Sequence, residues 1–209
     1  MGADFVAIKD HGTAKQDPDL DTRERLVRAA IEVFLEKGYG GTRVQDIARR
    51  AGFTSGALYV HFPSRTALLG EAIIREGQTI MTGLAEQIGS ASEGPESVAE
   101  LLAGFSTGAP TNLDLLLLEA LALASRSDEA KEVLATALDG FVEILMKRIT
   151  AARERGDIDD SIDSDALRQV FVAWIFGGVV VKALNIGTAP IESLQHATSR
   201  LIGGLAPKG

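Results

Sequence analysis

Two short helical patterns joined by a tight turn constrain this 209-residue chain more than any other feature. The first pattern, Val44 to Ala51, has apolar residues on one face and ends at Gly52, a residue type that readily adopts the left-handed backbone at a helix end. The second pattern, Ser55 to about Phe62, follows Thr54, whose hydroxyl can cap a helix. Two helices separated by a four-residue turn with a glycine have the spacing of a helix-turn-helix.

Helical patterns continue on both sides of this unit, and no convincing strand pattern occurs. A first helix is predicted from Thr22 to Gly38, and Thr42 with Gln45 three residues later predicts a capping box that opens the second helix. Ser64 is predicted to cap a long fourth helix that ends near residue 89. Five further helices are predicted at about 98–105, 113–124, 128–155, 164–184 and 191–205. The expected fold class is all-α.

Composition argues against most enzyme classes. The chain has no cysteine and three histidines, which excludes a disulfide framework, a thiol nucleophile and a zinc–thiolate cluster. No glycine-rich phosphate loop and no G-x-S-x-G sequence occurs, and the pair Glu192 and His196 supplies at most two metal ligands. The sequence therefore predicts no enzymatic activity, no cofactor and no metal site.

The same composition predicts a cytoplasmic protein that does not enter a membrane. A lack of cysteine fits a reducing compartment. The longest apolar run, Val170 to Val181, has twelve residues, whereas a membrane-spanning helix needs about 20.

Charge divides the chain into three parts. Residues 1–21 carry five aspartates and two lysines without apolar periodicity, and they are predicted to form a flexible arm. Residues 22–70 form the predicted helix-turn-helix domain, in which the segment 22–65 holds eight basic and four acidic residues. Residues 71–209 hold eleven basic and twenty acidic residues. The net charge of −8 argues against nucleic-acid binding, but this uneven distribution leaves a small basic unit suited to it.

The second helix of the helix-turn-helix has the residue types that reading a DNA groove requires. Small residues at its start let the backbone approach the bases, and hydroxyl, imidazole and guanidinium donors around it suit phosphate oxygens. Caps and half-buried packing are the alternative explanation for some of these residues. The candidate DNA-binding residues are Thr42, Arg43, Thr54, Ser55, Gly56, Ala57, Tyr59, His61 and Arg65.

These residues and their spacing resemble the DNA-binding domain of the tetracycline-repressor (TetR) family of transcriptional regulators. The residues that carry the resemblance are Gly38-Tyr39, Thr42, Ile47-Ala48, Ala51-Gly52, Thr54, Gly56, Leu58-Tyr59, His61-Phe62, Arg65 and Leu68. The resemblance implies a homodimer that binds a palindromic double-stranded operator and a C-terminal domain that binds a small-molecule inducer. Ser55 stands where the family often has lysine, and Val60 where it often has an aromatic residue or histidine, so the operator sequence does not carry over.

The C-terminal region is predicted to dimerise and to bind a ligand. Val170 to Val181 is apolar on all sides, which suits a helix buried by its own core on one face and by a second subunit on the other. Burial within a monomer is the alternative. Glu119 lies inside an apolar run and is the candidate carboxylate of a cavity. Its candidate walls are Phe105, Phe141, Phe171 and Trp174, with core filling as the alternative.

Two functional hypotheses follow from these features. The first is a ligand-responsive repressor released from DNA by a hydrophobic or amphipathic inducer. The second is a helical ligand-binding or adaptor dimer that does not bind DNA.

Overall fold

A computed structural model describes residues 21–88, 95–187 and 189–207. The predicted arm, up to residue 20, and the turn-rich segment 89–94 lie outside these ranges. The described ranges contain helices and no strand, which confirms the all-α prediction. The helices are α1 (Thr22–Gly41), α2 (Val44–Ala51), α3 (Ser55–His61), α4 (Arg65–Ile88), α5 (Pro95–Ser106), α6 (Asn112–Ala124), α7 (Asp128–Glu154), α8 (Ser164–Ala183) and α9 (Ile191–Gly203).

Glycines and hydroxyl caps delimit the first four helices as the sequence predicts. Gly38 has φ of 67°, which interrupts the regular helix of α1, and Gly52 ends α2 with φ of 78°. The Thr54 hydroxyl accepts a hydrogen bond from the Ala57 backbone N–H at 3.2 Å at the start of α3. Ser64 accepts one from the Ala67 N–H at 3.0 Å at the start of α4. Each cap satisfies a backbone donor that the helix leaves unpaired.

The capping box predicted at Thr42 is wrong. Helix α2 has Arg43 at its N-cap position, and the Arg43 N–H donates to the carboxylate of Asp46 at 3.4 Å. Thr42 is fully buried, and its hydroxyl donates to the carbonyl oxygen of Gly38 at 2.7 Å, with that of Val33 3.3 Å away. Thr42 therefore holds the end of α1 and does not open α2.

Two apolar clusters form the core. The first, which we call the proximal cluster, contains buried side chains of α1 to α4 together with residues of α6, the first part of α7 and Val179. The second, the distal cluster, joins α5, the later turns of α7, α8 and α9 through residues such as Leu102, Leu145 and Phe171. The apolar core of the helix-turn-helix is therefore continuous with α6 beyond residue 70.

Ion pairs fasten the helices of the unit formed by residues 22–70, which we call the head. Arg50 of α2 bridges Glu32 and Glu36 of α1 at 2.9 and 2.7 Å. The hydrogen bond from Arg50 lowers the pKa of Glu36. Lys37 of α1 lies 3.0 Å from Asp46 of α2, and its hydrogen bond lowers the pKa of Asp46. Much of the predicted positive charge of the head is thus neutralised by contacts between its own helices.

A tight helix crossing and a buried ion pair hold α8 in place. A Cβ added to Gly178 would lie 2.6 Å from the Ser106 side-chain oxygen and 2.7 Å from the Phe105 carbonyl oxygen, so α8 meets α5 at a distance that only glycine allows. The Lys182 ammonium of α8 pairs with the Asp114 carboxylate of α6 at 2.7 Å. These two side chains are 5% and 2% exposed. Asp114 also accepts hydrogen bonds from the Thr111 hydroxyl and backbone N–H.

Among the described helices, α8 is long and apolar enough to cross a membrane by length and composition. In this structure its inner residues Leu167, Phe171, Ile175 and Val179 are buried in the core. Gly178 faces α5, whereas Gly177 is exposed on the other side of the helix. The close helix contact of Gly178 therefore lies within the chain.

Candidate nucleic-acid interface and ligand cavity

The outer surface of α3 is the candidate surface for reading DNA. Leu58 is fully buried and fixes the inner side of the helix. Gly56 and Val60 lie two residues before and two residues after it, each about 160° around the helix axis, so they form the outermost line of α3. Gly56 presents only backbone there, whereas the Val60 side chain is 81% exposed. Ser55 and Ala57 are half-buried at the start of the helix.

Polar groups flank this line on both sides. Tyr59 is 55% exposed, and His61, Thr54 and Arg43 are also exposed. The Thr54 oxygen accepts from the Ala57 N–H, which leaves the hydroxyl hydrogen to donate elsewhere. No ion pair engages Arg43 within the described part of the chain. This arrangement places neutral and cationic donors around an apolar line, as phosphate contacts on either side of a groove require.

Two predicted DNA-binding residues instead make internal contacts. Thr42 is wrong as a phosphate contact in this structure, because its hydroxyl is buried and donates to the end of α1. The Arg65 guanidinium lies 4.0 Å above the Tyr39 ring and donates to the Thr42 carbonyl oxygen. The Tyr39 hydroxyl in turn shares a hydrogen bond of 2.9 Å with the Thr66 hydroxyl. Arg65 thus braces the α1–α2 turn against α4, while part of its side chain stays accessible.

A cavity of about 450 Å³ lies between the proximal and distal clusters. Helix α4 forms one wall, and residues of α5, α6, α7 and α8 supply the rest of the lining. The lining is apolar except for Gln78 and Thr136, and it includes no charged side chain among the described residues. Its lining residues are Ile73, Ile74, Gly77, Gln78, Ile80, Met81, Phe105, Leu113, Leu117, Thr136, Ala137, Leu138, Gly140, Phe141, Ile144 and Ile175.

The structure brings together two of the five predicted ligand-binding residues. Phe105 and Phe141 both line the cavity, where their rings meet edge to face with centroids 5.3 Å apart. Phe171 and Trp174 are not part of the lining and pack in the distal cluster. Their place in the distal cluster agrees with core filling, which was the alternative explanation.

Glu119 is wrong as a cavity carboxylate. One of its carboxylate oxygens accepts a hydrogen bond from the Tyr39 backbone N–H at 3.1 Å. The other lies 3.0 Å from the position that a Cβ on Gly38 would occupy, so the absence of a side chain at Gly38 permits this contact. Leu113 and Leu117 on the same helix line the cavity. Helix α6 therefore contacts the cavity on one side and the α1–α2 turn on the other.

Sequence reasoning missed most of the cavity, although a signal was available. Ile73 and Ile80 belong to the apolar stripe of α4, and both side chains line the cavity. Gly77 lies between them, and Gly140 faces the cavity from α7. An added Cβ would meet no atom within 4 Å at either glycine. Glycine inside a helix lowers the stability of that helix. A glycine within an apolar stripe is therefore a signal in the sequence that a side chain is missing beside a cavity.

The outer face of α8 and α9 carries large apolar side chains that no described residue covers. Val170, Leu184, Ile186 and Leu201 are each more than half exposed. Gly177 lies on the same side of α8 as Val170 and Leu184, at helical spacing. Large exposed apolar side chains such as these are candidates for an interaction surface.

The head of this chain matches a family model of known proteins. Residues 26–72 match the family model described as "Bacterial regulatory proteins, tetR family". This range contains α2, α3 and the first turns of α4. The head of the chain is therefore a tetR-family helix-turn-helix domain.

The likeness continues over most of the chain. The chain is 22% identical over 178 residues to the "Fatty acid metabolism regulator protein" of Bacillus subtilis (strain 168), and the match covers 85% of this chain and 92% of the relative. It is 25% identical to the "HTH-type transcriptional repressor DhaR" of Mycobacterium sp. (strain GP1), covering 81% and 86%. The crystal structure of the transcriptional regulator FadR from Bacillus subtilis in complex with stearoyl-CoA superposes with a TM-score of 0.69 at 24% identity, covering 86% and 96%. The shared fold thus includes the helices around the cavity.

Proposed function

We propose that this chain, a transcriptional regulator of the tetR family, is a cytoplasmic homodimeric repressor that binds a palindromic operator and leaves it when a hydrophobic or amphipathic inducer enters the cavity. The observation that carries the proposal is the uncovered outer line of α3 with donors on both sides. A helix placed in this way fits the major groove, and the flanking donors fit phosphate oxygens.

The apolar face of α8 and α9 supports the dimer. Burying Val170, Leu184, Ile186 and Leu201 against the same residues of a second copy would remove four large exposed apolar side chains from water. A twofold axis between two copies also accounts for a palindromic operator, since each head reads one half-site about 34 Å from the other. Native mass spectrometry of Leu201→Glu should show monomer where the wild-type chain shows dimer.

The lining of the cavity supports an apolar inducer. A ligand in this cavity meets aliphatic and aromatic side chains and only two polar ones, so an uncharged chain or ring gains most from binding there. A sugar or nucleotide would lose hydrogen bonds to water without replacement. The relative whose crystal structure contains stearoyl-CoA supports a long acyl group as the first probe.

The proposed mechanism acts through α4. This helix forms a wall of the cavity and begins at Arg65, which braces the α1–α2 turn. A ligand that displaces α4 changes the distance between the two heads, so that this distance no longer matches the spacing of successive major grooves. Only one head can then occupy its half-site.

A salt titration tests DNA binding. Duplexes enriched by the full chain from a random library should bind with an affinity that falls steeply with salt concentration, because counterions are released from phosphates. Arg43→Ala should make the log–log slope less steep by about 1. If no duplex is enriched at low salt, the chain is the non-DNA-binding adaptor dimer.

The inducer is tested on the same duplex. Addition of stearoyl-CoA should release the wild-type chain from DNA. Gly77→Leu fills the cavity from α4 and should bind DNA normally but resist release, whereas the smaller Gly77→Ala should still respond. Release of Gly77→Leu at the wild-type concentration of stearoyl-CoA would show that the ligand does not bind in this cavity.

A further inference from the structure

We propose that Val60 determines operator specificity by contacting the C5-methyl group of a thymine in each half-site. The inference rests on the proposed DNA-binding function and adds to it the base that this side chain selects. It starts from a valine that is 81% exposed on a helix of seven residues.

Among the large apolar side chains of α3, Val60 is the most exposed, at 81% against 55% for Tyr59. It lies opposite the buried Leu58, and Gly56, one turn earlier on the same line, has no side chain that could contact a base first. Tyr59 and Ala57 lie about 100° to either side of Leu58 and so face the walls of a groove, where phosphates are found. When α3 enters a groove, the valine isopropyl group therefore reaches the floor.

The chemistry of the valine side chain leaves one suitable target. It has neither a hydrogen-bond donor nor an acceptor, so it cannot pair with the polar edges of adenine, guanine or cytosine in the major groove. Thymine alone presents a methyl group there. Placing the isopropyl group over any other base edge removes water from polar atoms without replacing their hydrogen bonds. Discrimination therefore includes a penalty against the other bases as well as a gain with thymine.

No internal role explains this valine. An exposed β-branched residue lowers helix propensity relative to alanine, and Val60 belongs to neither apolar cluster of the described residues. Replacing it by alanine therefore removes no buried contact, and the variant should fold normally.

Deoxyuridine provides the test because it differs from thymidine only by the missing C5-methyl group of the base. The wild-type full chain first enriches duplexes from a random library. Each thymine of the enriched half-site is then replaced singly by deoxyuridine, and affinity is measured by fluorescence anisotropy. We expect one position per half-site at which loss of the methyl group weakens wild-type binding about three- to fivefold. Val60→Ala lacks two of the methyl groups that would contact the thymine, so this variant should lose most of that sensitivity at the same position.

Arg43→Ala serves as the matched control. This variant should bind all duplexes more weakly but retain the wild-type preference for thymine over deoxyuridine, because phosphate contacts carry no sequence information. The circular dichroism melting curve of Val60→Ala should match that of the wild-type chain.

Each outcome separates the inference from the function on which it rests. If the wild-type chain enriches no duplex, DNA binding itself is wrong. If it enriches a duplex but no deoxyuridine substitution weakens binding, or Val60→Ala keeps the wild-type sensitivity at every position, then DNA binding stands and the role of Val60 is refuted.

Discussion

The head and the cavity region are held together by different interactions. In the head, exposed charges join one helix to another, as Arg50 does for α1 and α2 and as Arg23 does for α1 and α4 through Glu71. Around the cavity, exposed pairs such as Lys147–Glu143 lie within one helix, and helices meet through apolar contacts. The comparison shows a head whose helices are joined by ion pairs beside a region whose helices are joined mainly by apolar contacts.

The Asp114–Lys182 pair is the exception in the cavity region, and its loss should have the largest effect. Lys182→Met leaves the Asp114 carboxylate buried with only Thr111 as a partner, so we expect a loss of about 3 kcal/mol in the free energy of unfolding. Urea denaturation measures it. Adding Asp114→Asn should restore at least half of the loss, because no uncompensated charge remains. A loss below about 1 kcal/mol would mean that the pair is not buried in solution.

The crossing of α8 over α5 should be nearly as sensitive. Gly178→Ala forces the helices apart at Ser106 and Phe105, and we expect a loss of about 1–3 kcal/mol by the same denaturation. Gly104→Ala on α5 is the matched control, since an added Cβ there meets nothing within 4 Å. It should be neutral or stabilising by about 0.5–1 kcal/mol. Equal effects of the two changes would contradict the close crossing.

The contact between the two regions at Glu119 should have a smaller effect. Glu119→Ala removes the acceptor for the Tyr39 N–H, which costs about 1 kcal/mol and speeds hydrogen exchange of that amide. Glu119→Gln keeps an acceptor oxygen and should preserve the protection. Unchanged exchange in Glu119→Ala would show that α6 and the α1–α2 turn are not joined through this side chain.

The smallest effect concerns the charges within the head. Arg50 lowers the pKa of Glu36, so this pair contributes stability above the ordinary glutamate value near 4.5 and loses it as the pH falls through the lowered value. Glu36→Gln should therefore be less stable than the wild-type chain by a few tenths of a kcal/mol at pH 7. The difference should vanish near pH 3. Urea denaturation at both pH values checks this, and a constant difference would exclude the pair as its source.

The head was more predictable from the sequence than the cavity because its features are local. Gly52, Thr54 and Ser64 act on backbone groups within four residues, so their spacing alone predicted their roles. The capping box predicted at Thr42 was wrong because a threonine before one helix can also donate its hydroxyl to the end of the preceding helix. The correct outcome depended on the buried carbonyl of Gly38.

The cavity depended on contacts between residues distant in sequence. Glu119 lies 80 residues from Tyr39, and no periodicity in α6 distinguishes a side chain that faces the head from one that faces a cavity. Phe171 and Trp174 have the residue types of a cavity wall, but they pack in the distal cluster with residues of α5, α7 and α9.

In the proposed mechanism, helix α4 acts as a lever that pivots where it lines the cavity. From Gly77 at the cavity to Arg65 at the head, its length is about 18 Å at 1.5 Å per residue. A tilt of about 5° around Gly77 moves the Arg65 end by roughly 1.6 Å, and in a twofold assembly the displacement is doubled between the two ends. A ligand therefore needs to shift the cavity wall by less than the width of one methyl group to misalign the pair of reading surfaces.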